Sequence, residues 1–222
     1  MTRILLWSFF LFACVFVSTI SVQPYPGSVA VKAIPALSLA ILCLSRIRGI
    51  RGRLLFLAFL LCAAGDATLS LASGRHFIAG LVLFLLAQAT FIATFALDFK
   101  PRKEAVPIVV TLIAYAIIMG AALRPFLRDM ALPVYAYLCV ITTMGVMAAL
   151  RALPNKRATA GALLFIASDS LIAVNKFAVP VPAADYLIMV TYYIALFLIA
   201  SEFIEEMRDH FPLTGETDFS KN

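Results

Sequence analysis

Charge is scarce in this chain. Only 14% of its 222 residues are Asp, Glu, Lys or Arg, while 63% are hydrophobic and mean hydropathy is +1.00. So little charge cannot coat a water-soluble domain of this size, which leaves a polytopic membrane protein. Metal-binding and disulfide patterns are also missing. Cys14, Cys43, Cys62 and Cys139 all fall inside apolar runs and form no CxxC or CxxH pair. They read as small buried residues, and no metal or cofactor is expected. A net charge of +6 does not mark a nucleic-acid binder here, because the basic residues cluster in short gaps between apolar runs. A small-x-small cleavage site before Gln23 is lacking too, so the first apolar run reads as a retained helix rather than a signal peptide.

What the chain does have is apolar length. Eight segments stand out, at about 4–22, 28–46, 53–73, 77–97, 104–123, 130–151, 157–177 and 183–204. Each is close to the ~20 residues that cross ~30 Å of hydrocarbon. Lipid offers no water to satisfy backbone groups, so these spans must be helices. The expectation is an all-α membrane protein: a bundle of eight transmembrane helices in one domain over residues 1–204, then a short tail at 205–222. Of the 18 Lys and Arg, only Lys32, Arg75, Arg124, Arg128 and Lys176 lie on the side opposite the N-terminus. Positive-inside bias then places both termini in the cytoplasm, and the protein in the inner membrane if it is bacterial. Glu202, Glu205 and Glu206 read as a helix end emerging into water.

Two acids break this pattern. Asp66, in AAGDATL, and Asp169, in IASDSLI, lie deep in apolar sequence. A carboxylate near a bilayer centre costs roughly 2.5–3.5 kcal/mol on insertion scales. The seven Leu and two Phe of segment 53–73 offset about that much. Insertion is therefore tolerated, and a matched pair of intramembrane acids points to function. At 1.5 Å per residue, Asp66 is ~20 Å and Asp169 ~18 Å from the cytoplasmic ends of two helices that run the same way, so they share a level. Other polar groups fall within reach of that level. Tyr135 and Tyr137, which read as interface or packing aromatics, come from segment six, and Tyr192 and Tyr193 from segment eight. Gln88 comes from segment four and reads as an interhelical hydrogen-bonder. Ser70 and Ser73 follow Asp66 on the same helical face. Ser168 precedes Asp169, while Lys32, Asn175 and Lys176 lie nearer the outer surface.

At these residues the sequence resembles the YhhN family of membrane proteins, which includes the lysoplasmalogenases. The resemblance spans nearly the whole chain. It rests on GDATL at 65–69, GLVLFLLAQ at 80–88, GALLFIASDSLIAVNKF at 161–177 and TYYIALFLIAS at 191–201, with Lys32 and Pro35 as a Lys-Pro element. The family tends to carry His where this chain has Gln88, Tyr at Phe91 and Gln at Leu196. The resemblance implies hydrolysis of the vinyl ether bond of a lysophospholipid, giving a fatty aldehyde and a glycerophospho-base. Asp66 and Asp169 would be the catalytic acid and base. Lys32 and Lys176 would bind the phosphate, Asn175, Tyr192 and Tyr193 would position water or the ether oxygen, and Ser70, Gln88 and Ser168 would support them. Two other readings stay open: a small proton-coupled transporter with the same aspartates as relay, and an intramembrane aspartyl protease.

Overall fold

In the computed structural model the described residues are 2–71, 74–152 and 156–210, without the side chains of 74–76 and 208–210. Ser73, the side chains of Arg75 and His76, and the tail beyond 210 lie outside them. The described residues are 87% helical, with no strand among them. The helices are α1 (Thr2–Ser18), α2 (Ser28–Arg46), α3 (Gly49–Leu69), α4 (Gly74–Ala96), α5 (Val106–Leu127), α6 (Ala131–Ala149), α7 (Arg157–Ala173) and α8 (Ala184–His210).

Six segments of the described residues are long and apolar enough to cross a membrane: Ser28–Arg46, Gly49–Leu69, Phe77–Ala96, Lys103–Ala149, Arg157–Ala178 and Ala184–Met207. The fourth of these contains both α5 and α6, which pack against each other across a short 3₁₀ turn at Arg128–Met130. The first apolar run is helical only to Ser18 and then tightens into a 3₁₀ turn, so α1 falls short of the expected span. Segment seven also departs from a plain helix. After Ala173 it widens into a π-turn over Val174–Ala178. The last helix runs past the expected boundary at 204, to His210.

The bundle is built on neighbour contacts: α1 with α2, α2 with α3, α3 with α4, α4 with α6, α6 with α5 and α7, and α7 with α8. α8 closes the ring against α2. Ile113, Ile117 and Ile118 of α5 are half exposed or more, as a lipid-facing wall requires. Close helix approach depends on small residues. At Gly161 of α7 a Cβ would stand 2.8 Å from the Ala195 carbonyl oxygen of α8, so only glycine lets the two backbones meet there. An aromatic spine fills the interior. Phe59, Phe91, Phe95 and Phe203 are fully buried and pack ring against ring.

One end of the bundle is tied by charge. The expectation that Glu202 and Glu206 emerge into water is corrected here: Glu202 is 1% exposed. Arg151, 2% exposed at the end of α6, bonds Glu202, Asp98 at 3.1 Å and Glu206 at 2.8 Å. Its guanidinium also lies 4.1 Å from the centre of the Phe203 ring. Arg51 at the start of α3 pairs with Asp98 as well. Glu202 accepts a bond from the Ala158 N–H at 2.6 Å, which satisfies an orphan donor at the start of α7. α8 stays helical past the apolar run because its acids have buried cations to meet. The two aspartates lie toward the opposite end.

Candidate active site

Asp66 sits near the end of α3, where α2 and α8 converge on it. The Tyr192 hydroxyl donates to its Oδ2 at 2.8 Å, and Lys32 Nζ stands 4.0 Å from its Oδ1. Asp66 is 2% exposed. Pro35, within the same helix as Lys32, has no N–H to give the Val31 carbonyl. The neighbouring Lys32 carbonyl accepts the Tyr193 hydroxyl at 3.0 Å. The ammonium also lies 5.9 Å from the centre of the Phe16 ring. Lys32 is thus turned inward to an acid, rather than outward to a lipid headgroup.

Asp169, on α7, has a different set of partners. Its Oδ2 accepts hydrogen bonds from the Tyr137 hydroxyl on α6 and from Gln88 Nε2 on α4, the latter at 3.1 Å. Gln88 Nε2 also donates to the Tyr137 oxygen at 2.6 Å. Gln88 is fully buried, and its Oε1 has no partner among the described residues. Lys32 forms its ion pair with Asp66, and no described cation pairs with Asp169.

The two acid sites are neighbours. Phe84 of α4 packs on Tyr192 with ring centres 5.9 Å apart, and a Cβ at Gly65 would stand 2.7 Å from the same Phe84 ring. Glycine before Asp66 is therefore what lets α4 lie against α3 at this level. The Cys62 thiol is fully buried one turn before Asp66.

A narrow cleft of about 50 Å³ opens on Asp169 and Tyr137. Its other walls are apolar: Leu69 from α3, Phe77, Leu81 and Phe84 from α4, Val134 from α6, and Ile172, Ala173 and Phe177 from α7 and its π-turn. The widened turn carries Phe177 against Phe77, with ring centres 6.1 Å apart, and sets Lys176 Nζ 4.0 Å from the centre of the Phe77 ring. Lys176 is exposed at this rim. Asp66 does not line the cleft.

Other expected site residues are engaged elsewhere. Asn175 Oδ1 accepts the Val181 N–H at 2.9 Å and secures the loop after the π-turn. Ser168 donates to the Ile188 carbonyl at 3.0 Å, and Ser70 to the backbone carbonyl of Asp66 at 2.9 Å. Tyr135 bonds the Gly120 carbonyl. Phe91 and Leu196 are plain core residues, each fully buried. Tyr137, expected to be a packing aromatic, is instead a partner of Asp169. Its depth in segment six, level with the aspartates, was the signal in the sequence.

The fold and site define a multi-pass, all-helical membrane protein with paired carboxyl groups in its interior, one of them facing an apolar cleft. The model of the YhhN family matches residues 27–203, and the chain belongs to the YhhN family. It is similar to lysoplasmalogenase TMEM86A of Homo sapiens, 32% identical over 72% of this chain and 70% of that protein. Lysoplasmalogenase TMEM86B of Homo sapiens is 33% identical over 76% of this chain and 72% of that one. A lysoplasmalogenase of Mycobacterium tuberculosis is 30% identical over 85% of this chain and 78% of its own length. No solved structure matches the chain.

Proposed function

We propose that this protein is a lysoplasmalogenase: it hydrolyses the vinyl ether bond of a lysophospholipid, with Asp66 and Asp169 as an acid/base pair. The observation that carries the reading is two interior carboxyls, Asp66 buried and Asp169 half-buried and opening on an apolar cleft. An alkenyl chain suits the cleft walls, and the reaction suits the carboxyls. A proton adds to the vinyl carbon next to the alkyl chain, and the carbon bonded to oxygen becomes an oxocarbenium centre. Water adds there and loses a proton. The hemiacetal then collapses to a fatty aldehyde and a glycerophospho-base. One carboxyl gives the proton and a second, charged one stabilises the cation, the logic glycosidases use for a similar intermediate. The exposure of Lys176 beside Phe77 supports a role for it in meeting the lipid phosphate.

The same proposal includes the membrane arrangement. α1 together with its 3₁₀ turn to Val22, and each of α2 to α8, cross once, both termini are cytoplasmic, and the Arg151 end of the bundle is the cytoplasmic one. Residues 1–204 form one transmembrane domain with a short tail behind it.

The test is aldehyde release by the purified full-length protein from an alkenyl lysophospholipid, read by mass spectrometry. Product formation in detergent, with no vesicle or gradient, separates this reading from a proton-coupled transporter. In D2O the aldehyde carries one deuterium on the carbon beside the carbonyl. Asp66→Asn and Asp169→Asn each lower turnover by roughly 10²–10⁴-fold, the span of general acid–base catalysis. Wild-type turnover in either variant refutes the pair.

A further inference from the structure

The two carboxyls are not equivalent in their surroundings. Asp169 lines the cleft and Asp66 does not. Two donors from two other helices meet on one oxygen of Asp169: Tyr137 and Gln88 both reach Oδ2. No described residue hydrogen-bonds Oδ1. Asp66 lies behind, held by Tyr192 and faced by Lys32.

We propose that Asp169 is the proton donor to the vinyl ether, and that Tyr137, braced by Gln88, is the positioning residue that makes it one. This rests on the lysoplasmalogenase reading. The Oδ1–H bond breaks and its electron pair stays on Asp169. The proton takes the electron pair of the C=C bond at the alkyl-bearing carbon. Water then adds to the oxygen-bearing carbon and returns a proton to Asp169. A proton moves to the glycerol oxygen as the C–O bond breaks, so one water is consumed and the acid is regenerated.

The geometry explains why the two donors matter. As the proton leaves, negative charge grows on a carboxyl whose cleft is walled by apolar side chains, with no water-like shell to receive it. Tyr137 and Gln88 already point at Oδ2, so they need no reorganisation at the moment of reaction. A hydrogen bond to an ionised acceptor is roughly twice as strong as a neutral one, so both bonds tighten as charge appears. Gln88 also fixes the direction of the hydroxyl. Its Nε2 donates to the Tyr137 oxygen at 2.6 Å, so that oxygen's own proton is turned toward Asp169. The reverse amide orientation would set Oε1 against Asp169 Oδ2, so the amide keeps its nitrogen inward.

Tyr137→Phe tests this, because it removes the hydroxyl and keeps the ring in the cleft wall. The expected result on the alkenyl lysophospholipid is a kcat lower by about 10²-fold, the cost of one donor to developing charge. KM stays within about threefold and thermal stability is retained. A role in packing alone would move stability or KM and leave kcat. Tyr115→Phe is the control. Tyr115 pairs with Ser170, next to Asp169, but does not line the cleft, and its loss leaves kcat unchanged. Should Tyr137→Phe fail to fold, Gln88→Met removes the bracing donor and is read the same way. A wild-type protein that releases no aldehyde overturns the lysoplasmalogenase reading. An active wild type with Tyr137→Phe at full kcat overturns this inference alone.

Discussion

Replacing Arg151 with methionine isolates the charged end of the bundle. The Arg151 side chain is 3% exposed and faces Glu202 at 2%, Glu206 at 10% and Asp98 at 15%. Removing the cation strands the buried Glu202, while Asp98 and Glu206 keep Arg51 as a partner. Breaking a buried ion pair by deleting one partner costs about 3–5 kcal/mol. Methionine keeps some packing on Phe203, so little of that cost comes from an empty volume. For a chain of this length 1 kcal/mol moves Tm by about 2–4 °C. The expected fall is therefore roughly 6–20 °C, read by following monodispersity of detergent-purified protein against temperature. Arg157→Gln is the comparison. Its partner Glu205 and Arg157 itself are 47% and 44% exposed, so the loss stays under about 1 kcal/mol. Arg151→Met within 2 °C of wild type, or no more damaging than Arg157→Gln, would refute the idea that this cluster holds the helix ends together.

Two further substitutions probe packing and the cleft. Gly161→Ala forces a methyl to within 2.8 Å of the Ala195 carbonyl oxygen and of Ile199 Cγ1, so α7 and α8 must separate. A loss of about 1–3 kcal/mol is expected, seen as a lower melting temperature. Ala173→Trp puts a bulky ring into the cleft that Ala173 and Asp169 both line. Aldehyde release falls by at least about tenfold, through a higher KM, while stability holds. Normal kinetics in that variant would mean that the alkenyl chain binds elsewhere.

Much of the architecture was legible because its causes are local. Segment lengths and hydropathy placed most helices within a few residues, since each segment must satisfy its own backbone in lipid. The misplacements have local causes as well. The first run tightens into a 3₁₀ turn before its apolar stretch ends. The seventh widens into a π-turn at Val174. Asp66 and Asp169 stood out because a carboxylate is costly in apolar sequence. Glu202 was misread for the opposite reason. An acid near a helix end looks ready for water unless its cation is known, and Arg151 lies 51 residues away in the chain.

Composition and periodicity by themselves determined an all-helical membrane protein with two interior acids. Those properties add up residue by residue and need no knowledge of neighbours. Only the tertiary structure decided what each acid meets. Asp66 finds Tyr192 across 126 residues of sequence, and Asp169 finds Gln88 across 81. Which helices touch depends on how side chains such as Gly65, Phe84 and Gly161 let backbones approach. That shape matching between distant segments separates an acid held beside a lysine from one that faces an apolar cleft.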